Sequence, residues 1–272
     1  MKSLIFTLFQ IAVVGQLLAI TPDRVYHLSP DSLGLTYESH IIQTSDDAGV
    51  KLWDIKAQKE LDNGNTIILC YGDSGNMSYW LNHAAILSQV GYSVVLFDYR
   101  GFGESSDFVI NPDQLYYDEF SMDLEAVIRW TKQNLSYANL GILSFSMGTI
   151  MTTIAVQNES VDFIVAEGFV MNPENIKEKI FQLKGKEIIL LESAKGFEAL
   201  ISKIDIPLLL ISGTEDVVTT LADSQEIVAQ KVNRKLISFE GNHLGGFQKM
   251  TKQYFGDIYI QHIGSFIEAY KQ

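Results

Sequence analysis

The sequence predicts one doubly wound α/β domain, with a mostly parallel sheet, an antiparallel N-terminal edge and a small helical insertion. Short apolar runs alternate with helix-period stretches from Asn65 to Tyr270, the pattern of strands that return to one sheet through crossover helices. His40–Gln43 and Val50–Ile55 flank a polar turn at Ser45–Gly49, a hairpin signal that places an antiparallel edge before the parallel strands. The chain has 272 residues, 47% of them hydrophobic, enough for a single large core.

Composition narrows the function classes. A formal net charge of −13 repels nucleic acid unless a basic stripe is present, and the sequence has none. Cys70 is the one cysteine and sits in the apolar run Ile67–Cys70. Internal disulfides and thiolate metal sites are thereby excluded, and Cys70 reads as a buried packing residue.

The first twenty residues read as a segment separate from the domain, which is expected over 21–272. Lys2 is followed by an uncharged, mainly apolar stretch from Ser3 to Ile20. Eighteen residues at ~1.5 Å each span roughly 27 Å, a marginal bilayer crossing. The expectation is an exported or membrane-anchored, extracytoplasmic protein, with cleaved signal peptide and retained anchor both open. Removing residues 1–20 is expected to leave the fold and its activity intact.

The elements follow in order. Pro22 and Pro30 lie in an irregular entry segment. Asn65–Cys70 reads as a buried strand, Tyr71–Asn76 as a Gly-rich loop, and Trp80, Ala84 and Leu87 as the face of a helix. That loop is either an oxyanion loop or an ordinary strand-to-helix connection capped by Asn76 or Ser78; His83 reads as a packing or surface residue, not a ligand. Tyr92–Phe97 is the next strand, followed by Asp98–Ser105 and a long helix after Pro112 to about Leu135. Asp98 and Arg100 are expected to hold their loop through a charge-assisted pair. Val161–Ala166 is a further strand. Residues 171–205 break the alternation with helical segments carrying Lys177, Lys179, Lys184, Lys186, Lys195 and Lys203. This insertion reads as a small cap over the C-terminal rim of the sheet, or as a solvated crossover. Ile206–Ser212 and Lys235–Phe239 are the last strands, with helices over Leu221–Val232 and Tyr254–Tyr270.

One stretch carries the chemistry. In Ala138–Gln157 an apolar strand runs into a small-residue helix through Ser144-Phe145-Ser146-Met147-Gly148. A strand that turns directly into a helix strains the corner residue, projects its side chain above the sheet and leaves the next N–H at a helix N-terminus. Asp216 and His243 each follow a predicted strand, so both share the rim with Ser146. Glu167, Glu215 and Glu240 also lie near strand ends and are rival acids.

The chain order Ser, Asp, His resembles that of the α/β-hydrolase superfamily, over Glu38 to Lys271. The resemblance is narrower with the exported or membrane-anchored single-domain serine hydrolases whose oxyanion loop reads H-G-N-A-G-N and whose next strand ends in D-Y-R-G-Y-G-x-S. Asp98–Ser105 matches the second motif, and Gly72, Gly75 and Asn76 match the first. Tyr71 stands where the loop has His, Asp73 where it has Asn, and Ser144 where the elbow has its first Gly. The resemblance implies Ser146 as nucleophile, His243 as base, Asp216 as its acid partner, and the Asp73 and Met147 N–H groups as oxyanion donors. It implies hydrolysis of a small-molecule or lipid-like ester, or a related acyl bond, without metal or organic cofactor. A thioesterase or peptidase, and a non-catalytic scaffold that keeps the fold, are the alternatives. An inward-pointing Asp73 carboxylate would oppose the oxyanion.

Overall fold

The protein is described here by a computed structural model covering residues 19–270. Residues 1–18, and with them most of the expected signal or anchor stretch, lie outside the described residues. Ala19 and Ile20 do not belong to a separate segment: they are 5% and 0% exposed and join the main hydrophobic cluster. The hydrophobic core therefore includes these two residues as well as those from Thr21 on. Deleting residues 1–20 would remove a buried isoleucine, a loss of roughly 1.5–3 kcal/mol of burial.

Strand β1 (Thr21–Pro22) lies apart from the main sheet. The hairpin is β2 (Tyr37–Gln43) and β3 (Gly49–Ile55), paired antiparallel from Tyr37 opposite Ile55 to Gln43 opposite Gly49. The remaining strands are β4 (Asn65–Cys70), the two-residue β5 (Ser74–Gly75), β6 (Ser93–Phe97), β7 (Asn139–Phe145), β8 (Phe163–Glu167), β9 (Leu208–Gly213) and β10 (Arg234–Phe239). In the eight-stranded main sheet the order is β10-β9-β8-β7-β4-β6-β3-β2. Pairings from β6 through β10 are parallel, and β3 joins β6 antiparallel, so the expected antiparallel edge is present. β5 interrupts the Gly-rich loop and pairs in parallel with β1, a two-residue contact that leaves no periodic trace in the sequence.

Helices cover the sheet. The first three are α1 (Leu81–Gln89), α2 (Asp118–Asn134) and α3 (Met147–Ala155). The last are α6 (Leu221–Ala229), α7 (Gly246–Lys249) and α8 (Asp257–Tyr270), after α4 (Pro173–Lys184) and α5 (Phe197–Lys203) of the insertion. α2 buries Phe120, Leu124, Val127 and Ile128 at helical spacing, with Asp118 and Glu119 in its first turn favourable to the helix dipole. The sequence from Lys186 to Ile204 reads as a second helical stretch of the insertion, but only residues 197–203 of it are α-helical. Lys179 ties α4 to the main body through the Val218 carbonyl (3.0 Å) and the Asp223 carboxylate (2.8 Å).

Asp98 and Arg100 are structural, as expected, but they do not pair with each other. Arg100 donates from Nε and Nη2 to Asp123 Oδ1 (2.9 and 2.7 Å) and from its other edge to Asp46 (2.6 and 2.9 Å). Asp98 is fully buried and accepts from Tyr26 Oη (2.5 Å), Tyr71 Oη (2.8 Å) and the Met77 N–H (2.7 Å). Tyr71 thus anchors the loop after β4 by its hydroxyl. Neither set of partners is close in sequence, which is why a local pair looked sufficient.

Asp98→Ala would leave three donors, two of them buried, without their acceptor. The expected loss is roughly 3 kcal/mol or more of folding stability, read as a lower urea midpoint at unchanged slope. A midpoint equal to wild type would contradict this account of the loop.

Candidate active site

Ser146 stands at the corner between β7 and α3 with φ 49° and ψ −119°. Left-handed backbone is strained for a non-glycine residue and persists only where the surroundings over-determine it. They do so here. The Ser146 N–H donates to the Glu167 carbonyl (3.1 Å), and its own carbonyl accepts from the Thr149 N–H (2.8 Å) and hydroxyl (2.7 Å). Two positions further on, the helix passes so close to β4 that a Cβ on Gly148 would lie 2.2 Å from the Cys70 carbonyl oxygen. Ser144, in place of the usual first glycine, fits because it is still within β7, fully buried, with Oγ 3.4 Å from the Val165 carbonyl.

His243 lies in the loop after β10, and Asp216 in the loop after β9. His243 Nε2 is 2.9 Å from Ser146 Oγ, and Nδ1 is 2.7 Å from Asp216 Oδ2. Asp216 is 6% exposed and held tightly. Its Oδ1 accepts from the Val218 and Thr219 N–H groups (2.8 and 2.9 Å), and its Oδ2 from the Thr219 hydroxyl (2.6 Å). Burial alone would raise its pKa, but bonds to His243, Thr219 and Val218 outweigh that and lower it. Asp216 is therefore a carboxylate that fixes the Nδ1–H tautomer of His243 and leaves Nε2 to accept.

The structure thus brings Ser146, His243 and Asp216 into one hydrogen-bonded line. Of the rival acids, Glu215 and Glu240 are exposed. Glu167 is buried and spends one oxygen on the Gly246 N–H (2.6 Å), which pins the loop three residues after His243. Gly168 follows with φ +65°, and a Cβ there would come within 2.7 Å of His243 Cε1. Thr219 escaped the sequence reading. Its hydroxyl touches both Asp216 and His243 Nδ1 (3.1 Å). The pattern Asp-x-x-Thr, an Asp that folds back on the N–H groups two and three residues on, is the signal that marks it.

The other two candidates, Asp73 and Met147, are placed by neighbouring turns. Met147 is the first residue of α3, so its N–H has no intrahelical acceptor. Asp73 follows Gly72, whose Cα faces the Ser146 Cβ across the loop. The Asp73 carboxyl is raised in pKa by burial, against the opposing pull of its own backbone N–H, His243 and Lys184. The side chain is half-buried, close enough to His243 and Lys184 to feel both charges. Asn76 caps the short helical turn that follows, accepting from the Ser78 N–H (3.0 Å). His83 packs among Trp80, Phe145, Phe247 and Phe255, and burial pushes its pKa down to about 3. Among the described residues no group of three or more His, Cys, Asp or Glu side chains is arranged to hold a metal ion.

Burial pushes the Glu167 carboxyl up to about 7 from an ordinary 4.5. The folded chain therefore keeps a proton there that the unfolded chain loses above pH 4.5, so this stabilising contribution fades as pH rises through 7. Glu167→Gln should remove that component. Its melting temperature relative to wild type should climb between pH 4.5 and 7, and a pH-independent difference would contradict the assignment.

Comparison with known proteins agrees with this architecture. A family model described as alpha/beta hydrolase fold matches residues 65–187. The uncharacterized protein YfhR of Escherichia coli K12 is 26% identical over 252 residues, 90% of this chain and 84% of its own. The uncharacterized membrane protein YNL320W of Saccharomyces cerevisiae is 24% identical over 225 residues, 79% of this chain and 76% of its own. Among solved structures, the Pyrococcus furiosus esterase Pf2001 superposes with a TM-score of 0.73 at 21% identity, covering 93% of this chain and 100% of its own. No helix among the described residues is long and apolar enough to cross a membrane. With its parallel sheet, antiparallel edge and strand-to-helix corner, the chain has the fold of the alpha/beta hydrolase superfamily.

Proposed function

We propose that this chain is a serine hydrolase that cleaves a carboxylic ester or related acyl bond through an acyl-enzyme. The observation that carries the reading is the continuous line from Ser146 Oγ through the His243 ring to Asp216, with the serine on a strained corner. A serine hydroxyl is a poor nucleophile until a base meets it. His243 Nε2 takes the proton as Oγ attacks the acyl carbon, and Asp216 stabilises the resulting imidazolium. The proton then passes to the leaving group, and water repeats the sequence to free the acid. The Met147 and Asp73 N–H groups are the donors that receive the oxyanion, a service each worth about a hundred- to a thousandfold in rate. No step calls for a metal or an organic cofactor. The oxyanion loop belongs to the H-G-N-A-G-N type, with Tyr71 and Asp73 in place of His and Asn. The uncharged run over residues 3–20 favours an exported or membrane-anchored, extracytoplasmic protein that meets small or lipid-like acyl substrates. The yeast relative's name, a membrane protein, supports the membrane part of that reading.

Hydrolysis of a short-chain p-nitrophenyl ester tests the reading. Ser146→Ala and His243→Ala should each abolish turnover, and Asp216→Asn should lower kcat by about 10⁴-fold while the protein stays folded. A fluorophosphonate should label wild type and not Ser146→Ala. Unchanged esterase activity in purified Ser146→Ala would sink the mechanism, and a folded wild type that neither hydrolyses nor labels would favour the scaffold alternative.

Asp73 supplies a separate test. Below its raised pKa the carboxyl is neutral and tolerates a developing oxyanion; above it, the carboxylate opposes one. Asp73→Asn should therefore gain activity over wild type by a factor that grows with pH. A ratio that is flat with pH would contradict this placement of the carboxyl.

A further inference from the structure

Resting on the hydrolase reading above, we propose that residues Ala19–Asp23 form a strap whose Thr21 amide positions the oxyanion loop. β1 runs beside β5 in parallel, with Thr21 opposite Ser74 and Pro22 opposite Gly75. The Thr21 N–H donates to the Asp73 carbonyl (2.8 Å), and the Asp23 N–H to the Gly75 carbonyl (2.8 Å). Pro22, which has no N–H, occupies the intervening position, where a strand edge tolerates it. A side-chain bond from Thr21 Oγ1 to Ser74 Oγ (2.8 Å) reinforces the pair.

These bonds fall on the loop that carries the Asp73 N–H. A peptide group with its carbonyl held on one side cannot rotate without breaking that bond, and holding the 73–74 peptide restrains the 72–73 peptide before it. A backbone donor contributes to catalysis only if it is already aimed when charge develops, and a misplacement of about 1 Å can cost a hundredfold. The loop is glycine-rich, with Gly75 at φ +79°, so it does not stiffen itself.

The strap is itself seated. Ile20 is fully buried, and the Ala19 and Ile20 N–H groups both reach the Pro112 carbonyl (2.6 and 3.2 Å). On the far side, Asn76 Nδ2 donates to the Asp23 and Val25 carbonyls (3.1 and 2.7 Å). The oxyanion loop is thus laid on a segment contributed by the chain ahead of the main sheet. Thr21 is a positioning residue, since it acts through Asp73.

The test uses the full-length protein. Thr21→Pro removes the amide donor, and Thr21→Ala removes only the hydroxyl. Thr21→Pro should lower kcat by about ten- to a hundredfold with KM nearly unchanged, and weaken inhibition by phenylboronic acid by a similar factor. That inhibitor forms a tetrahedral adduct on the serine with an oxygen in the oxyanion position. Hydrogen exchange across residues 71–76 should quicken in the same variant, and Thr21→Ala should stay within about threefold of wild type. A folded Thr21→Pro with wild-type kcat and wild-type exchange would overturn the proposal, and an equal loss in Thr21→Ala would overturn its assignment to the amide. If Thr21→Pro does not fold, Ile20→Ala loosens the seat without touching the loop. It should show the same quickened exchange and lowered kcat, and no change in either would overturn the strap. Absence of turnover in wild type would count against the hydrolase reading alone, because the exchange measurement still decides whether Thr21 holds the loop.

Discussion

Everything at the rim depends on one backbone constraint, the left-handed conformation of Ser146 between β7 and α3. A residue forced to φ 49° lifts its side chain off the sheet and turns the next N–H to the same side. Local preference opposes this, so the fold has to impose it. The bond to the Glu167 carbonyl fixes the corner to β8, the Thr149 bonds begin the helix, and the absence of a side chain at Gly148 lets α3 lie against the end of β4. The central position of β7 in the sheet is what makes those restraints available from both neighbours.

Glu167 links that corner to the histidine loop. Its main chain holds Ser146 and its carboxyl holds Gly246, so one residue at the end of β8 sets the separation of the serine and histidine loops. Asp216 plays the corresponding part from β9, immobilised by Val218 and Thr219 before it meets His243. The result is preorganisation: the serine corner and the Asp216 carboxylate are already held by partners in the folded chain. In the proposed reaction, little beyond the proton that moves between Ser146 and His243 then has to reorganise.

Much of this was legible in the sequence because it is written in local patterns. Buried parallel strands read as apolar runs, so Asn65–Cys70 could be delimited to the residue, and the loops bearing Ser146, Asp216 and His243 followed from strand ends. What remained hidden depends on contacts between residues far apart in the chain. Arg100 finds Asp46 and Asp123, Tyr71 finds Asp98, and neither pairing has a local signature. Ile20 was read with the uncharged run before it because an apolar residue that ends such a run is indistinguishable by composition from one that begins a core. The β1–β5 contact is too short for periodicity to reveal, and Thr219 contributes through one N–H and one hydroxyl.

The most direct test of the central claim is a crystal structure of the protein after reaction with a fluorophosphonate. The account predicts phosphorus bonded to Ser146 Oγ, with the phosphonyl oxygen about 3 Å from both the Met147 and Asp73 N–H groups and His243 Nε2 beside the ester oxygen. Phosphorus on another residue, or a phosphonyl oxygen directed away from both N–H groups, would contradict it.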